Sequence, residues 1–188
     1  MAQPQRLLKP GEVQRLRPGD FEAFYRQQAD GVYRALALTL RDVDLAQEAA
    51  AEAMARAYQH WEKIRSYDKP GGWAYRVGLN WATSRLRRRQ RDRTRQSQMA
   101  RLNSIDPNEP VVFDPGLQAA LLGLEIPQRA VVVLRYFMDL SQDEIAGVLD
   151  VPVGTVKSRL FRGRRQLQKV LYDYAVEMGH IRGNHGGS

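Results

Sequence analysis

Apolar residues recur along most of the chain with the spacing of amphipathic α-helices. The first such series is Phe21, Phe24, Tyr25, Val32, Tyr33, Leu36 and Leu40. An alanine-rich helix is predicted from roughly Val43 to Trp61, and a further helix from about Gly72 to Arg91. Because no segment shows the two-residue alternation of a half-buried strand, the sequence predicts an all-α fold.

A stretch without periodicity divides the chain. Residues 94–116 contain the prolines Pro107, Pro110 and Pro115, which favours a flexible linker between two small helical domains. The predicted organisation is a flexible N-terminus (1–18), a first helical domain (19–93), the linker (94–116), a second helical domain (117–178) and a flexible tail (179–188).

The second domain carries the pattern of a helix-turn-helix. Ser141 and Glu144 have the spacing of a capping box, Asp150 lies at the turn, and Pro127 fits the first turn of a preceding helix. The predicted inward-facing residues are Val131, Leu134, Tyr136, Phe137, Ile145, Val148, Leu149, Val156, Leu160, Leu167 and Val170. Asp at the turn tolerates a left-handed backbone better than most residues do.

The second helix of this motif has a candidate DNA-binding face. Positions i, i+1, i+4 and i+5 share one side of a helix, and we expect base contacts from the residues there. These four are Lys157, Ser158, Phe161 and Arg162, and Thr155 and Arg165 are the candidates for phosphate contacts. The alternative is an ordinary helical hairpin whose basic face is only solvated.

Positive charge is concentrated in two places. Residues 85–101 have a net charge of +7 and residues 155–169 a net charge of +6, whereas the whole chain has +8. The remainder is therefore net acidic by 5. Two basic patches on an acidic body indicate a polyanionic partner that is contacted at two sites.

The middle of the chain offers a second nucleic-acid surface. Tyr75, Leu79, Ala82 and Leu86 fall on the predicted core side of a helix. A separate stripe consists of Trp73, Arg76, Asn80, Ser84 and Arg87. It combines a stacking ring, an amide and cations, as a single-strand binding site requires. The preceding turn from Ser66 to Gly72, with Ser66, Tyr67 and Asp68, could hold a flipped base. Trp81 is expected in the core, and Trp73 fits either the core or the DNA surface.

Several classes of protein are disfavoured. The chain has no cysteine, and its three histidines, His60, His180 and His185, are scattered, so no metal site or cofactor is expected. No apolar run is long enough to span a membrane, and residues 1–19 lack the apolar core of a signal peptide, which together predict a cytoplasmic location. An enzyme acting on DNA is the weakest alternative, because no carboxylate cluster or nucleophile-base pair stands out.

The order of these parts resembles the extracytoplasmic-function group of the sigma-70 family of bacterial RNA polymerase subunits. The resemblance extends over about Asp20 to Tyr172 and is closest from Pro127 to Arg159. Before that block it rests on the segments Phe21–Tyr25, Ala51–Tyr58, Trp73–Asn80 and Arg85–Arg89. The arginine bias and the alanine-rich helix are typical of a high-GC, actinobacterial member.

The resemblance implies a division of labour between the domains. The first domain would bind and melt the −10 promoter element with the middle surface, and the second would bind the −35 element as duplex. The implied partners are promoter DNA and core RNA polymerase, contacted at the clamp helices of the largest subunit and at the flap. An anti-sigma protein is a further possible partner. A free-standing helix-turn-helix regulator is the alternative, and it would need no single-strand surface.

The resemblance also implies a polymerase-docking stripe on the alanine-rich helix. The residues in question are Gln47, Glu48, Glu52 and Arg56. Glu52 and Arg56 also have the i, i+4 spacing of an ordinary helix-stabilising pair, which is the simpler interpretation of those two. The usual family pattern Asp-Leu-Val-Gln-Glu is replaced here by Glu48-Ala49-Ala50-Ala51-Glu52, which predicts fewer contacts with the clamp.

Overall fold

The computed structural model describes residues 18–95, 120–121 and 123–177, and these form helices without any strand. The helices of the first part are α1 (Pro18–Leu40), α2 (Val43–Gln59), α3 (Trp61–Ile64) and α4 (Pro70–Arg95). Those of the second part are α5 (Ile126–Tyr136), α6 (Gln142–Leu149) and α7 (Val153–Glu177). The predicted all-α fold is confirmed. The predicted flexible N-terminus apart from Pro18, most of the predicted linker and the flexible tail lie outside the described residues.

The turn between α1 and α2 follows from two residues. Arg41 adopts a left-handed backbone conformation with φ 58°, which ends α1. The carboxylate of Asp42 then accepts a hydrogen bond from the Leu45 amide at 2.8 Å and so caps the start of α2. At its other end α2 stops at Gln59, two residues before the predicted end, and Trp61 begins the short α3.

The helix that carries the middle surface begins earlier than its sequence suggests. Glycines and a proline predicted a turn through Gly72, but Pro70, Gly71 and Gly72 form the first turn of α4. Proline is accepted at a helix start because the amide it lacks would be unpaired there. Glycine at position 72 allows close approach, since a Cβ there would lie 2.7 Å from Cγ2 of Val148.

The first bundle consists of α1, α2 and α4 packed against one another. Tyr75 of α4 is fully buried, and its hydroxyl shares a 2.8 Å hydrogen bond with Thr39 of α1. Burial raises the pKa of Tyr75, so its ring remains neutral. Gly78 brings α4 against α2, because a Cβ there would lie 2.9 Å from the Ala49 carbonyl oxygen.

The second bundle consists of α5, α6 and α7. Val131 and Leu134 of α5 are buried as predicted. The expectation that Tyr136 and Phe137 are also buried is wrong, since 60% of Tyr136 and 39% of Phe137 are exposed. Both lie where α5 ends, and the chain then turns through Asp139 with φ 50°.

The two bundles are in contact, and their buried apolar side chains form one continuous cluster. α1 packs against α5, and α4 contacts α6. The buried guanidinium of Arg129 on α5 donates to the carbonyl oxygens of Leu121 at 2.9 Å, Leu124 at 2.5 Å and Thr39 at 2.6 Å. Thr39 belongs to the last turn of α1, where carbonyl groups lack partners within the helix. A side chain of the second bundle therefore caps a helix of the first.

Candidate nucleic-acid interfaces

The helix-turn-helix has the geometry that its sequence predicts. The Ser141 hydroxyl accepts from the Glu144 amide at 3.2 Å, and the Glu144 carboxylate accepts from the Ser141 amide at 2.7 Å. This capping box fixes the start of α6. Asp150 ends α6 in the left-handed conformation, with φ 56° and ψ 51°. The chain then reverses through Pro152, whose carbonyl accepts from the Thr155 amide at 2.8 Å in the first turn of α7.

α7 presents the predicted DNA-binding residues on its surface. Lys157, Ser158, Phe161, Arg162 and Arg165 are exposed, and Thr155 is half-buried. Phe161 is 62% exposed, so its side chain is open to contact with a partner. The guanidinium of Arg165 lies 5.8 Å from the centre of the Phe161 ring, so the ring and the cation form one surface.

The predicted stripe on α4 is partly free and partly in contact with the second bundle. Asn80, Ser84 and Arg87 are exposed. Trp73 is half-buried, and Arg76 is half-buried and forms a 3.0 Å ion pair with Asp150 of the second bundle. The stripe thus faces solvent along its later turns and faces the turn of the helix-turn-helix at its beginning.

The loop before α4 is shorter than predicted and contains residues 65–69. The Ser66 hydroxyl donates to the Lys63 carbonyl at 2.8 Å, which fixes the loop to α3. Ser66 and Asp68 are exposed and Tyr67 is half-buried against the core. Lys69 forms a 3.2 Å ion pair with Glu144. Hydrogen bonds from the Ser141 backbone and side chain, together with Lys69, lower the pKa of Glu144.

Trp81, which was expected in the core, is half-buried at the edge of the first bundle. The guanidinium of Arg85 lies 5.2 Å from its ring centre, and the same side chain forms a 3.2 Å ion pair with Glu48 of α2. These contacts connect the basic end of α4 to the predicted polymerase-docking stripe.

The predicted docking stripe on α2 lies at the surface, and its acidic side chains form ion pairs with arginines of the same chain. Gln47, Glu48 and Arg56 are exposed, and Glu52 is half-buried. Glu52 pairs with Arg56 at 2.7 Å, as the i, i+4 spacing predicted. Since Glu48 pairs with Arg85, both acidic residues of the stripe already have a partner within the chain.

Two structural features were not predicted from the sequence. One is the burial of Arg129, for which an arginine inside the apolar segment from Ile126 to Leu134 was the available signal. The other is the set of contacts between the bundles, Arg76 with Asp150 and Lys69 with Glu144, for which no local pattern exists.

The described part of the chain shows neither a metal-binding cluster nor a helix suited to a membrane. No group of three or more His, Cys, Asp or Glu side chains converges in residues 18–95 and 120–177, apart from the undescribed position 122. Over the same residues, no helix is long and apolar enough to cross a bilayer.

Comparison with known proteins gives two family matches, one for each bundle. Residues 24–92 match the model described as Sigma-70 region 2, and residues 116–167 match the model described as Sigma-70, region 4. The first match covers α2, α3 and most of α1 and α4, and the second includes the helix-turn-helix.

Curated relatives match over most of the chain. The ECF RNA polymerase sigma factor SigW of Bacillus subtilis is 30% identical over 181 residues, which are 86% of this chain and 95% of that protein. The RNA polymerase sigma-E factor of Streptomyces coelicolor is 31% identical over 152 residues, which are 81% of this chain and 86% of that protein.

A solved structure has the same fold. It is a chain of the co-crystal structure of the sigma factor RpoE with the anti-sigma factor NepR from Bartonella quintana, with a TM-score of 0.69 and 21% identity. The match covers 81% of this chain and 97% of that one.

Two helical bundles, one of which ends in a helix-turn-helix, thus define a promoter-recognition subunit. The chain belongs to the extracytoplasmic-function group of the sigma-70 family of RNA polymerase sigma factors. Its relatives are specificity subunits of RNA polymerase.

Proposed function

We propose that the exposed faces of α7 and α4 divide promoter recognition between them. α7 would bind the −35 element as duplex, and the stripe on α4 would hold the opened −10 strand. The observation that carries this proposal is the capped helix-turn-helix, which presents Lys157, Ser158, Phe161 and Arg162 on one exposed face. The chain would act without catalysis of its own, in the cytoplasm, where its polymerase partner works.

The chemistry of the α7 face fits a major groove. Lys157 and Arg162 can donate to the acceptor atoms of guanine, and the Phe161 ring can contact a thymine methyl group. The Ser158 hydroxyl donates to the Thr155 carbonyl at 3.0 Å, which leaves its oxygen available as an acceptor for a base amino group. Arg165 lies beside Phe161 and would bind a phosphate of the same strand.

The stripe on α4 fits a single strand. Trp73 supplies a ring for base stacking, Asn80 an amide that can pair with a base edge, and Arg76 and Arg87 cations for phosphates. Ser84 adds a hydroxyl on the same exposed side. The loop residues Ser66, Tyr67 and Asp68 precede this stripe and would surround a base that leaves the stack.

Docking on core polymerase is proposed for the exposed residues of α2. Gln47, Glu48, Glu52 and Arg56 would contact the clamp helices of the largest subunit, and the second bundle would contact the flap. Because Glu48 and Glu52 are paired with Arg85 and Arg56, docking would exchange existing ion pairs for new ones. The net gain per exposed pair is then small, about 1 kcal/mol or less.

An anti-sigma protein is proposed as a further partner. The support is the fold shared with a chain whose structure contains the anti-sigma factor NepR. Such a partner would act by holding the chain away from polymerase.

Reconstitution tests the proposed function directly. The purified chain is mixed with core RNA polymerase and a library of duplex promoters, and the transcripts are sequenced. We expect a stable complex and transcripts from a small set of related promoters. The absence of a complex with core polymerase would favour a free-standing regulator.

On a promoter identified in this way, two substitutions distinguish the role of the α4 stripe from that of the α7 face. Trp73→Ala should impair transcription from duplex DNA and regain activity on a template with a pre-opened −10 region, because stacking holds the opened strand. Arg162→Ala should weaken promoter binding by roughly 1–3 kcal/mol on either template if the residue contacts a base. Equal transcription by the wild type and Trp73→Ala would contradict the role in opening.

A further inference from the structure

The side of α4 that faces α2 carries a tryptophan whose ring is covered by an arginine. The guanidinium carbon of Arg85 lies 5.2 Å from the centre of the Trp81 ring, and Nη2 of Arg85 is 3.2 Å from Oε2 of Glu48 on α2. Trp81 is half-buried, and the side chains of Arg85 and Glu48 are 44% and 47% exposed. The three residues therefore form one partly open surface across two helices.

This surface is separate from the stripe of α4 that is proposed to hold the opened strand. Each residue turns an α-helix by about 100°, so Trp81 lies about 100° around α4 from the middle of that stripe. The turn is toward the side of Gly78, where a Cβ would lie 2.9 Å from the Ala49 carbonyl oxygen of α2. Trp81 and Arg85 thus border α2, and the strand-binding stripe faces elsewhere.

Glu48 connects the same surface with the proposed polymerase-docking stripe of α2. Ala51 and Ala55 are exposed within that stripe and offer only methyl groups to a partner. The charged residues there already form ion pairs within the chain. The exchange of exposed ion pairs contributes little to affinity, so the middle of the stripe is a weak contact by itself.

Large side chains supply most of the affinity in protein–protein contacts, and tryptophan and arginine are prominent among them. Trp81 and Arg85 combine both residue types beside Glu48. An indole ring buries a large apolar area and loses little conformational freedom when it does so. A partner that covers Glu48 would therefore gain more from the neighbouring ring than from the alanines of α2.

We propose that Trp81 and Arg85 extend the polymerase-docking surface from α2 onto α4. The Trp81 ring would pack against an apolar side chain of the largest subunit of core polymerase. When Glu48 turns to a cation of that subunit, the guanidinium of Arg85 becomes available for a carboxylate of the same partner. The inference rests on the proposed docking of α2 and adds two residues to it.

Binding to core polymerase in the absence of DNA tests the proposal. The chain has no cysteine, so Gln27→Cys on the exposed side of α1 provides a single site for a dye. The affinity for core polymerase is then measured by fluorescence anisotropy. Trp81→Leu keeps an apolar side chain against the first bundle and removes the ring, and we expect it to weaken core binding about fivefold or more.

Substitutions of Arg85 test the second residue. Arg85→Ala should weaken core binding to a similar extent, and Arg85→Glu should weaken it further, because it places a negative charge opposite the partner's carboxylate. Arg34→Ala is the matched control, since Arg34 is a partly exposed arginine of α1 that pairs with Asp30 at 2.9 Å, and it should bind core polymerase like the wild type. Thermal unfolding of each free variant shows whether a loss of binding reflects a loss of folding.

Promoter binding by the assembled complex distinguishes polymerase from DNA as the partner of Arg85. At core concentrations that saturate each variant, we expect Arg85→Ala and the wild type to bind a labelled promoter with the same affinity and the same salt dependence. Unchanged core binding with weaker and less salt-dependent promoter binding would assign Arg85 to a DNA phosphate and overturn the proposal.

Gln47→Ala separates this inference from the proposed function. Gln47 is an exposed residue of the α2 stripe, and its substitution should weaken core binding without any change on α4. If Gln47→Ala weakens core binding while the Trp81 and Arg85 variants bind like the wild type, docking through α2 stands and its extension to α4 is wrong. If the unsubstituted chain does not bind core polymerase, the proposed function itself is contradicted.

Discussion

The close packing of α4 against α2 in the first bundle depends on the absence of a Cβ at Gly78. A Cβ at this position would lie 2.9 Å from the Ala49 carbonyl oxygen and 2.7 Å from Cδ1 of Leu36. The leucine side chain can rotate, but the carbonyl belongs to the backbone of α2 and cannot. The distance between α2 and α4 therefore depends on glycine at position 78.

We expect Gly78→Ala to lower the free energy of unfolding by about 1–3 kcal/mol, because it forces α4 away from α2. The measurement is urea unfolding followed by circular dichroism. Gly31→Ala is the matched control: Gly31 lies in α1, and a Cβ there has nothing within 4 Å. The control should gain about 0.5–1 kcal/mol from helix propensity, and equal stability of the two variants would contradict the argument.

Arg129 is a buried cation that binds backbone carbonyl groups of both bundles. Burial, followed by the nearby charge of Arg41, lowers its pKa to about 10, so the guanidinium is still charged at neutral pH. Three carbonyl oxygens compensate this buried cation, and one of them is at the negative end of α1. Lysine would fit less well there, since its three donors share one nitrogen, whereas the guanidinium donates to the three carbonyls from three separate nitrogens.

At the scale of the element, α6 depends on one carboxylate at its start. Glu144 accepts hydrogen bonds from the Ser141 backbone and from Lys69, and its pKa is lowered mainly by the backbone bond. A carboxyl group with a lowered pKa stabilises the folded state above its ordinary pKa. That stability is lost as the pH falls through the lowered value.

We therefore expect the chain to lose stability on acidification from about pH 6 to about pH 3, and Glu144→Gln to lose less over the same interval. The measurement is thermal unfolding at a series of pH values. Asp143→Asn serves as the control, because it removes one carboxylate from the same first turn of α6 and leaves the capping box intact. An unchanged acid response in Glu144→Gln would show that the carboxylate does not contribute.

The sequence correctly predicted the features that depend on a few residues close together in the chain. The capping box at Ser141 and the left-handed turn at Asp150 both follow from residue types at fixed spacing. The start of α4 was placed wrongly because glycine at positions 71 and 72 looks like a turn, whereas at position 72 it serves a contact with Val148. The exposure of Tyr136 was missed for a related reason, since helical period alone does not show where a partner helix ends.

The candidate site was predictable only on each bundle separately. The exposed face of α7 followed from helical spacing, as did the stripe on α4. The pairing of Arg76 with Asp150 joins residues 74 positions apart, and no pattern within a helix contains that information. Contacts between bundles depend on the packing of both, which is a property of the whole molecule.

At the scale of the whole molecule, we expect the two basic patches to determine how promoter binding responds to salt. Residues 85–101 and 155–169 together carry a charge of +13. Cations that neutralise phosphates release counterions, so affinity falls as the salt concentration rises. The slope of this dependence counts the phosphates that the complex neutralises.

We expect Arg87→Ala to weaken promoter binding by the polymerase complex to a similar extent on all sequences, and to reduce the salt slope by about 1. The measurement is fluorescence anisotropy of labelled promoters over a series of salt concentrations. Arg34→Ala is the control, because Arg34 is an exposed arginine of α1 that pairs with Asp30 at 2.9 Å. If the salt dependence of binding changed equally in both variants, Arg87 would not be among the residues that contact phosphates.

The hydrogen bond from Arg129 to Thr39 bears on how far the two regions can be exchanged between family members. A second region transplanted from a relative would have to supply a guanidinium at this place, or the last turn of α1 would lose a partner for its carbonyl. Chimeric sigma factors made from this chain should therefore be most stable when α1 and α5 come from the same parent. Residues at the α1–α5 contact are also the positions at which substitutions in one region are expected to covary with substitutions in the other.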